Sequence, residues 1–453
     1  MRWLILMMLV LSMPLAAAEL NARIGDDHAT LSLEICDAQA NAALKLYASA
    51  SAQRFVLHVQ LPEGALLRQR GEEIRISPWP GGCVRIEIDL KAIADAQTMD
   101  VGYRLGDVLL VSAEQWLWRP NRPSQLRMAL PPGWSISAPW ASCGSACFDL
   151  SASSADGPAL VALGALDTLS LVLKGGKIEA TLLPTFTPDE RVRAVRLVES
   201  LPKLLDAAYG RLPVPHLQVL LVPMRKQREA IPWGQVYRGG LGGIHFFIDP
   251  EREWAEFASN WVIAHELTHL LHPYLGTDAR WLSEGLASYQ QQALRARAGQ
   301  ISESEAWRGL LKGFARGQAA RSRLSLRSAS ADMHQQRAYM TVYWGGAAYW
   351  LDVETQLLAS KNLRLMAVLE RFSRCCLPET QAWNDRSFLK KLDELAETTL
   401  FSETAARYRD RIGFPETAAQ LSALGVSIKG ERVRFDPNAP QAALRARIMG
   451  KKG

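Results

Sequence analysis

His265-Glu266-Leu267-Thr268-His269 is the segment of this chain whose residue types and spacing point most directly to chemistry. On a helix, residues four apart share a face, so both imidazoles can reach one metal ion. Glu266 then stands beside the first ligand, where a carboxylate can take a proton from a metal-activated water. A catalytic zinc uses three protein ligands and keeps one position open, and two histidines with one glutamate form an established set. Glu284, in Trp281-Leu282-Ser283-Glu284-Gly285-Leu286, is the natural third ligand. Its neighbours are apolar, and an unpartnered carboxylate would be costly to bury among them. The residues therefore imply Zn2+ held by His265, His269 and Glu284, with Glu266 as general base.

These ligands need helices to hold them. Thr187-Pro188-Asp189-Glu190 reads as a capping box with proline at the first helical position, opening a helix to about Tyr209. A buried strand over residues 217–222 follows. A glycine-rich stretch then leads into Ile244-His245-Phe246-Phe247-Ile248, and Asp249-Pro250-Glu251 signals the start of the helix that carries the two histidines. Most of the chain from there to about residue 410 is helical in pattern, and the last thirty-odd residues read as a small appendage or tail.

Residues 25–185 have a different texture. Val84, Ile86, Ile88 and Leu90 alternate with Arg85, Glu87 and Asp89, the period of a half-buried strand. Turn signals such as Pro78-Trp79-Pro80-Gly81-Gly82 and Gly175-Gly176 punctuate several such runs, which suggests an antiparallel sandwich. The expected fold is thus α+β and multidomain: an N-terminal antiparallel β-sandwich followed by a thermolysin-like, mainly helical zinc-peptidase domain. The expected divisions are 1–18 as a signal peptide, 19–180 as the sandwich, 181–415 as the catalytic domain and 416–453 as the appendage.

With 453 residues, 48% hydrophobic and 22% charged, the chain is neither disordered nor collagen-like, and it can bury a large core. A net charge of +6, from 52 basic and 46 acidic residues with no long basic block, implies no nucleic-acid partner. Arg2, the apolar run Leu4 to Leu11 and the small residues Ala16 and Ala18 resemble a secretory leader cleaved before Glu19. The mature protein is expected to be periplasmic or secreted, with no transmembrane segment. An oxidising compartment permits disulfides among the six cysteines: Cys36 with Cys83 and Cys143 with Cys147 are plausible pairs. A bond between the adjacent Cys375 and Cys376 would be strained.

The His265–His269 motif and the Glu284-Gly285-x-x-x-Tyr289 helix together resemble the gluzincin metallopeptidases of the peptidase MA-like group. Within it the pattern is most similar to the glycyl aminopeptidases, then to the leukotriene hydrolase and aminopeptidase group. Tyr343-Trp344-Gly345-Gly346-Ala347, continuing to Leu351-Asp352, is similar to the family's Y-x-K-G-A-x-x-x-x-L-D helix. That resemblance implies Tyr343 as a transition-state-stabilising tyrosine, a peptide or protein as substrate, and a strand around Gly243, Ile244 and His245 that binds substrate backbone. There are also departures. Gly345 replaces the family's lysine, and no PDZ domain follows. Ser288 and Gln291 stand where carboxylates often orient the ligand histidines, and His245 is the nearest polar group where some relatives place an amine-binding glutamate. Two other readings share these residues: a catalytically silent peptide-binding scaffold, and a zinc hydrolase of a non-peptide bond.

Overall fold

The computed structural model describes residues 18–38, 41–150, 159–238, 242–377 and 382–450. The expected leader lies outside these, apart from Ala18. Residues 18–164 build three sheets around one apolar core, which gathers Leu33, Val84, Ile86 and Ile88 with Leu46, Ile74, Leu109 and Val161. The alternation in Gly82–Asp89 is realised: Val84, Ile86 and Ile88 are buried while Arg85 is exposed. This strand stops at Asp89, whose carboxylate accepts a hydrogen bond from the Ala92 amide and caps a short helix, so Leu90 is helical.

The seven-stranded sheet is not wholly antiparallel. Ala18–Ile24 pairs in parallel with Ser124–Ala129, while its other pairings are antiparallel. About a hundred residues connect those two strands, so no tight hairpin turn imposes their relative direction.

The second body is a five-stranded sheet, in the order Asp167–Leu173, Gly176–Leu182, His216–Pro223, Gly243–Ile248, Trp233–Tyr237, with helices packed on it. Its first hairpin spans the boundary expected at residue 180. Ile178, Ala180 and Leu182 pack into the larger core with the helices. The two bodies meet through strands buried on both faces. In Leu160–Gly164, Val161 and Leu163 face the first core, while Leu160 and Ala162 meet Leu220, Val222 and Phe247 of the second sheet. That explains a continuous apolar run where alternation would be expected of a half-buried strand. Among the described residues no helix is long and apolar enough to cross a membrane.

The capping box forms as the sequence suggests. The Thr187 amide donates to Glu190 and the Glu190 amide to the Thr187 hydroxyl, starting helix Pro188–Ala208. Asp249, by contrast, does not open the histidine helix. It is buried and accepts from the amides of Gln227 and Glu251, one short helix intervenes, and Val262–His269 begins where the Asn260 side chain accepts from the Val262 amide.

Cys36–Cys83 and Cys143–Cys147 are bonded as expected, and so, against expectation, are the adjacent Cys375 and Cys376. The C-terminal segment is docked. Leu421, Leu424, Val426, Ile448 and Met449 join the larger core, and the buried Arg297 donates both to the Ile448 carbonyl and to Glu354.

Candidate metal centre and cleft

Three helices meet at the site. Val262–His269 presents His265 and His269 on one face, Arg280–Arg297 presents Glu284 in its second turn, and Tyr339–Lys361 presents Tyr343. The last two cross where Gly285 faces Gly346. A Cβ on Gly346 would lie 1.9 Å from the Trp281 carbonyl oxygen, so only glycine permits this approach. The crossing brings Tyr343 to the site, where burial and then the Glu284 charge push the phenol's pKa up.

Glu284 Oε2 lies 3.3 Å from His265 Nε2 and 3.6 Å from His269 Nε2. For bonds of about 2.0–2.1 Å to a tetrahedral zinc, adjacent ligand atoms should stand roughly 3.3–3.4 Å apart, so this donor set fits such an ion. One ligand atom from each of the three residues lies within 4.8 Å of the others. Burial disfavours the Glu284 carboxylate, yet His269 and then His265 outweigh it and hold the group well below its usual range.

Each imidazole is held from behind. His265 Nδ1 is 2.9 Å from Gln291 Oε1, so the amide standing where relatives place a carboxylate does orient the ring. His269 Nδ1 is 3.3 Å from Ser283 Oγ and 3.5 Å from His272 Nε2. His272 lies buried behind His269, its Nδ1 2.9 Å from the Pro273 carbonyl. Burial and then the Arg238 guanidinium push its pKa well down, keeping it neutral. The Tyr343 ring lies parallel to His265 at 5.8 Å, and Trp261 meets the same imidazole edge-on at 5.5 Å.

Glu266 is buried, and that burial pushes its carboxyl up to about 7 in the metal-free protein, opposed by His265. It packs against Gly234, where a Cβ would sit 2.6 Å from Glu266 Cγ and 2.9 Å from Val262 Cγ1. Gly234 belongs to Trp233–Tyr237, the terminal strand of the sheet.

Here the expected substrate strand needs correcting. Gly243, Ile244 and His245 are buried in a strand paired on both sides, parallel to His216–Pro223 and antiparallel to Trp233–Tyr237. Its backbone groups are already used, and the His245 Nε2 bonds Gln218. Among the described residues, the strand beside the histidine helix whose outer edge has no pairing partner is Trp233–Tyr237, which the sequence reading missed. Five residues with no regular alternation give it little signal.

No protein-family model and no curated protein matches this sequence. Solved structures do match in shape. An aminopeptidase N family protein from Idiomarina loihiensis superposes with a TM-score of 0.67 at 15% identity, over 91% of this chain and 79% of that one. An M1 zinc metallopeptidase from Deinococcus radiodurans, solved as a point mutant with a Tyr-Ser-Ala substrate, matches with a TM-score of 0.56 at 14% identity, over 88% and 95% of the two chains. A further structure described as an M1 zinc metallopeptidase from the same organism gives 0.54 at 14% identity, over 88% and 94%. This chain shares the fold of these structures. At such identities the likeness is one of architecture, and it agrees with the two-body α+β arrangement read from the sequence. At Gly345 a Cβ would meet Leu326 Cδ2 at 2.6 Å, so a larger residue there would need the Leu326 side chain to shift.

Proposed function

We propose that this protein is a zinc-dependent metallopeptidase. The observation that carries the reading is the convergence of His265, His269 and Glu284 on one point, with Glu266 and Tyr343 around it and, among the described residues, an unpaired strand edge alongside. Zn2+ held by the three ligands would act as a Lewis acid and bring the pKa of its water towards about 7.

The protein's own groups do the rest. An extended peptide lies along Trp233–Tyr237 and bonds its free backbone edge. Glu266 accepts the proton of the attacking water and returns it to the leaving amine. Its buried setting, which raises the carboxyl's affinity for a proton, suits both halves of that task. Tyr343 donates a hydrogen bond to the oxyanion that develops on the substrate carbonyl, a contact stronger in the transition state than in the ground state. The terminal strand carries no carboxylate, so it offers no partner for a free substrate amine, and cleavage within chains is compatible with it. Export fits the leader-like start and three disulfides that pair all six cysteines.

The test is zinc stoichiometry and cleavage of a peptide library, one that includes glycyl and alanyl amino termini, beside Glu266→Gln. One zinc per chain in both proteins, with cleavage lowered at least about a hundredfold in the variant, is expected. Cut positions would separate exo- from endo-cleavage. Bound zinc without cleavage by the wild type would turn the reading to a silent peptide-binding scaffold or to a non-peptide substrate.

A further inference from the structure

His272 lies just past the end of the histidine helix, buried with the Phe388 ring at 6.2 Å. Its Nδ1 is 2.9 Å from the Pro273 carbonyl oxygen, which can only accept a hydrogen bond. Nδ1 therefore carries a proton, and in the neutral ring Nε2 is an acceptor. The Arg238 Nη1, 3.1 and 3.4 Å from the two ring nitrogens, can only donate, and with Nδ1 protonated the nitrogen open to it is Nε2.

Two further groups stand before His272 Nε2: the Ser283 hydroxyl at 3.4 Å and His269 Nδ1 at 3.5 Å, themselves 3.3 Å apart. With an ion on His269 Nε2, the proton of that ring sits on Nδ1 and the chain of bonds has one direction. His269 Nδ1–H donates to Ser283 Oγ, Ser283 O–H donates to His272 Nε2, and His272 Nδ1–H donates to the Pro273 carbonyl. Turning the serine around would set its proton against the one on His269 Nδ1, which is costly.

We infer that His272 is a positioning residue for the metal centre: the chain from Pro273 through His272 and Ser283 accepts the Nδ1 proton that His269 carries when Nε2, the nitrogen facing Glu284, holds the ion. The metal half of this inference rests on the zinc reading above. Gln291 does the corresponding work for His265, accepting from Nδ1 at 2.9 Å. Both supports are uncharged, so the ligand imidazoles gain orientation without a carboxylate behind them. Because Ser283 precedes Glu284 on the same helix, one turn supplies a ligand and the support of its neighbour.

Two measurements test this. In metal-free wild type with 15N-labelled histidine, long-range proton–nitrogen spectra should show His272 as the Nδ1–H tautomer, with Nε2 left as the acceptor; an Nε2–H tautomer at His272 overturns the inference without any variant needing to fold. Zinc competition against a chelating dye should then show binding weakened about 10- to 100-fold in His272→Phe and in Ser283→Ala. Ser283→Thr, which keeps the hydroxyl, should restore it. Zinc binding by the wild type that ignores both substitutions overturns the inference alone. Failure of the wild type to bind zinc overturns the zinc reading and the metal half of the inference, while the His272 tautomer still decides the rest.

Discussion

At the scale of single residues, the site depends on what cannot be added as much as on what is present. Gly234 leaves space that Glu266 fills, and any side chain there would displace the carboxylate. Gly234→Ala is expected to lower kcat/KM by about tenfold or more while zinc content stays at wild-type level, since no ligand moves. Tyr343→Phe removes a hydrogen bond proposed to strengthen only in the transition state. It should lower kcat by about 10²–10³ with little change in KM, read from steady-state kinetics on one cleaved peptide. His265, Glu266, His269 and Glu284 were legible because the first three are local in sequence and the fourth sits in a recognisable helix. His272 is only three residues past His269, yet its role depends on Ser283, eleven positions away on another helix, and no spacing rule shows that.

At the scale of elements, the crossing of Arg280–Arg297 with Tyr339–Lys361 sets the distance between Glu284 and Tyr343. The contact is backbone against backbone, so it cannot relax by a rotamer change. Gly346→Ala should therefore cost about 2–4 kcal/mol, seen as a lowered midpoint in denaturant unfolding, with loss of activity among the molecules that still fold. The start of helix Pro188–Ala208 gives a pH prediction. Arg225, then the Thr187 amide, hold the buried Glu190 carboxyl down to about 2, against an ordinary value of 4.5. Because the folded pKa is the lower one, this stabilisation is present above about pH 4.5 and lost as pH falls towards 2. Arg225 is 39% exposed, so solvent screening trims the effect to about 1–2 kcal/mol. Glu190→Gln should lower stability by that amount at neutral pH and flatten its dependence between pH 4.5 and 2, measured by denaturant titration at several pH values.

For the whole molecule, the β-rich body is more than a companion to the helical one. Tyr237, at the end of the terminal strand, is buried in the core of the first body, and Gly242 donates its amide to the Pro139 carbonyl. The strand proposed to bind substrate is therefore anchored by residues that carry no catalytic motif. Within that body Cys36 and Cys83 face each other across neighbouring strands and close a loop with a sequence separation of 47. Losing that bond by paired serine substitution should cost about 4 kcal/mol on a chain-entropy estimate. The thermal midpoint should fall while the folded protein keeps its zinc, because the ligands lie in the other body.

What the sequence by itself determined is everything carried by short-range periodicity. The i, i+4 histidines share a helix face, the Thr187–Glu190 box starts its helix, and Val84, Ile86 and Ile88 point into one core. Tertiary structure decided the rest. Gly243–Ile248 looks like a strand from sequence, and it is one; that it lies inside the sheet while Trp233–Tyr237 holds the open edge is a matter of strand order, set by contacts between distant segments. The glycine crossing, the Gln291 and His272 supports and the anchoring of the terminal strand are likewise pairings across the fold. A one-dimensional pattern records which face a side chain takes, because that follows from backbone geometry. It does not record which surface that face will meet.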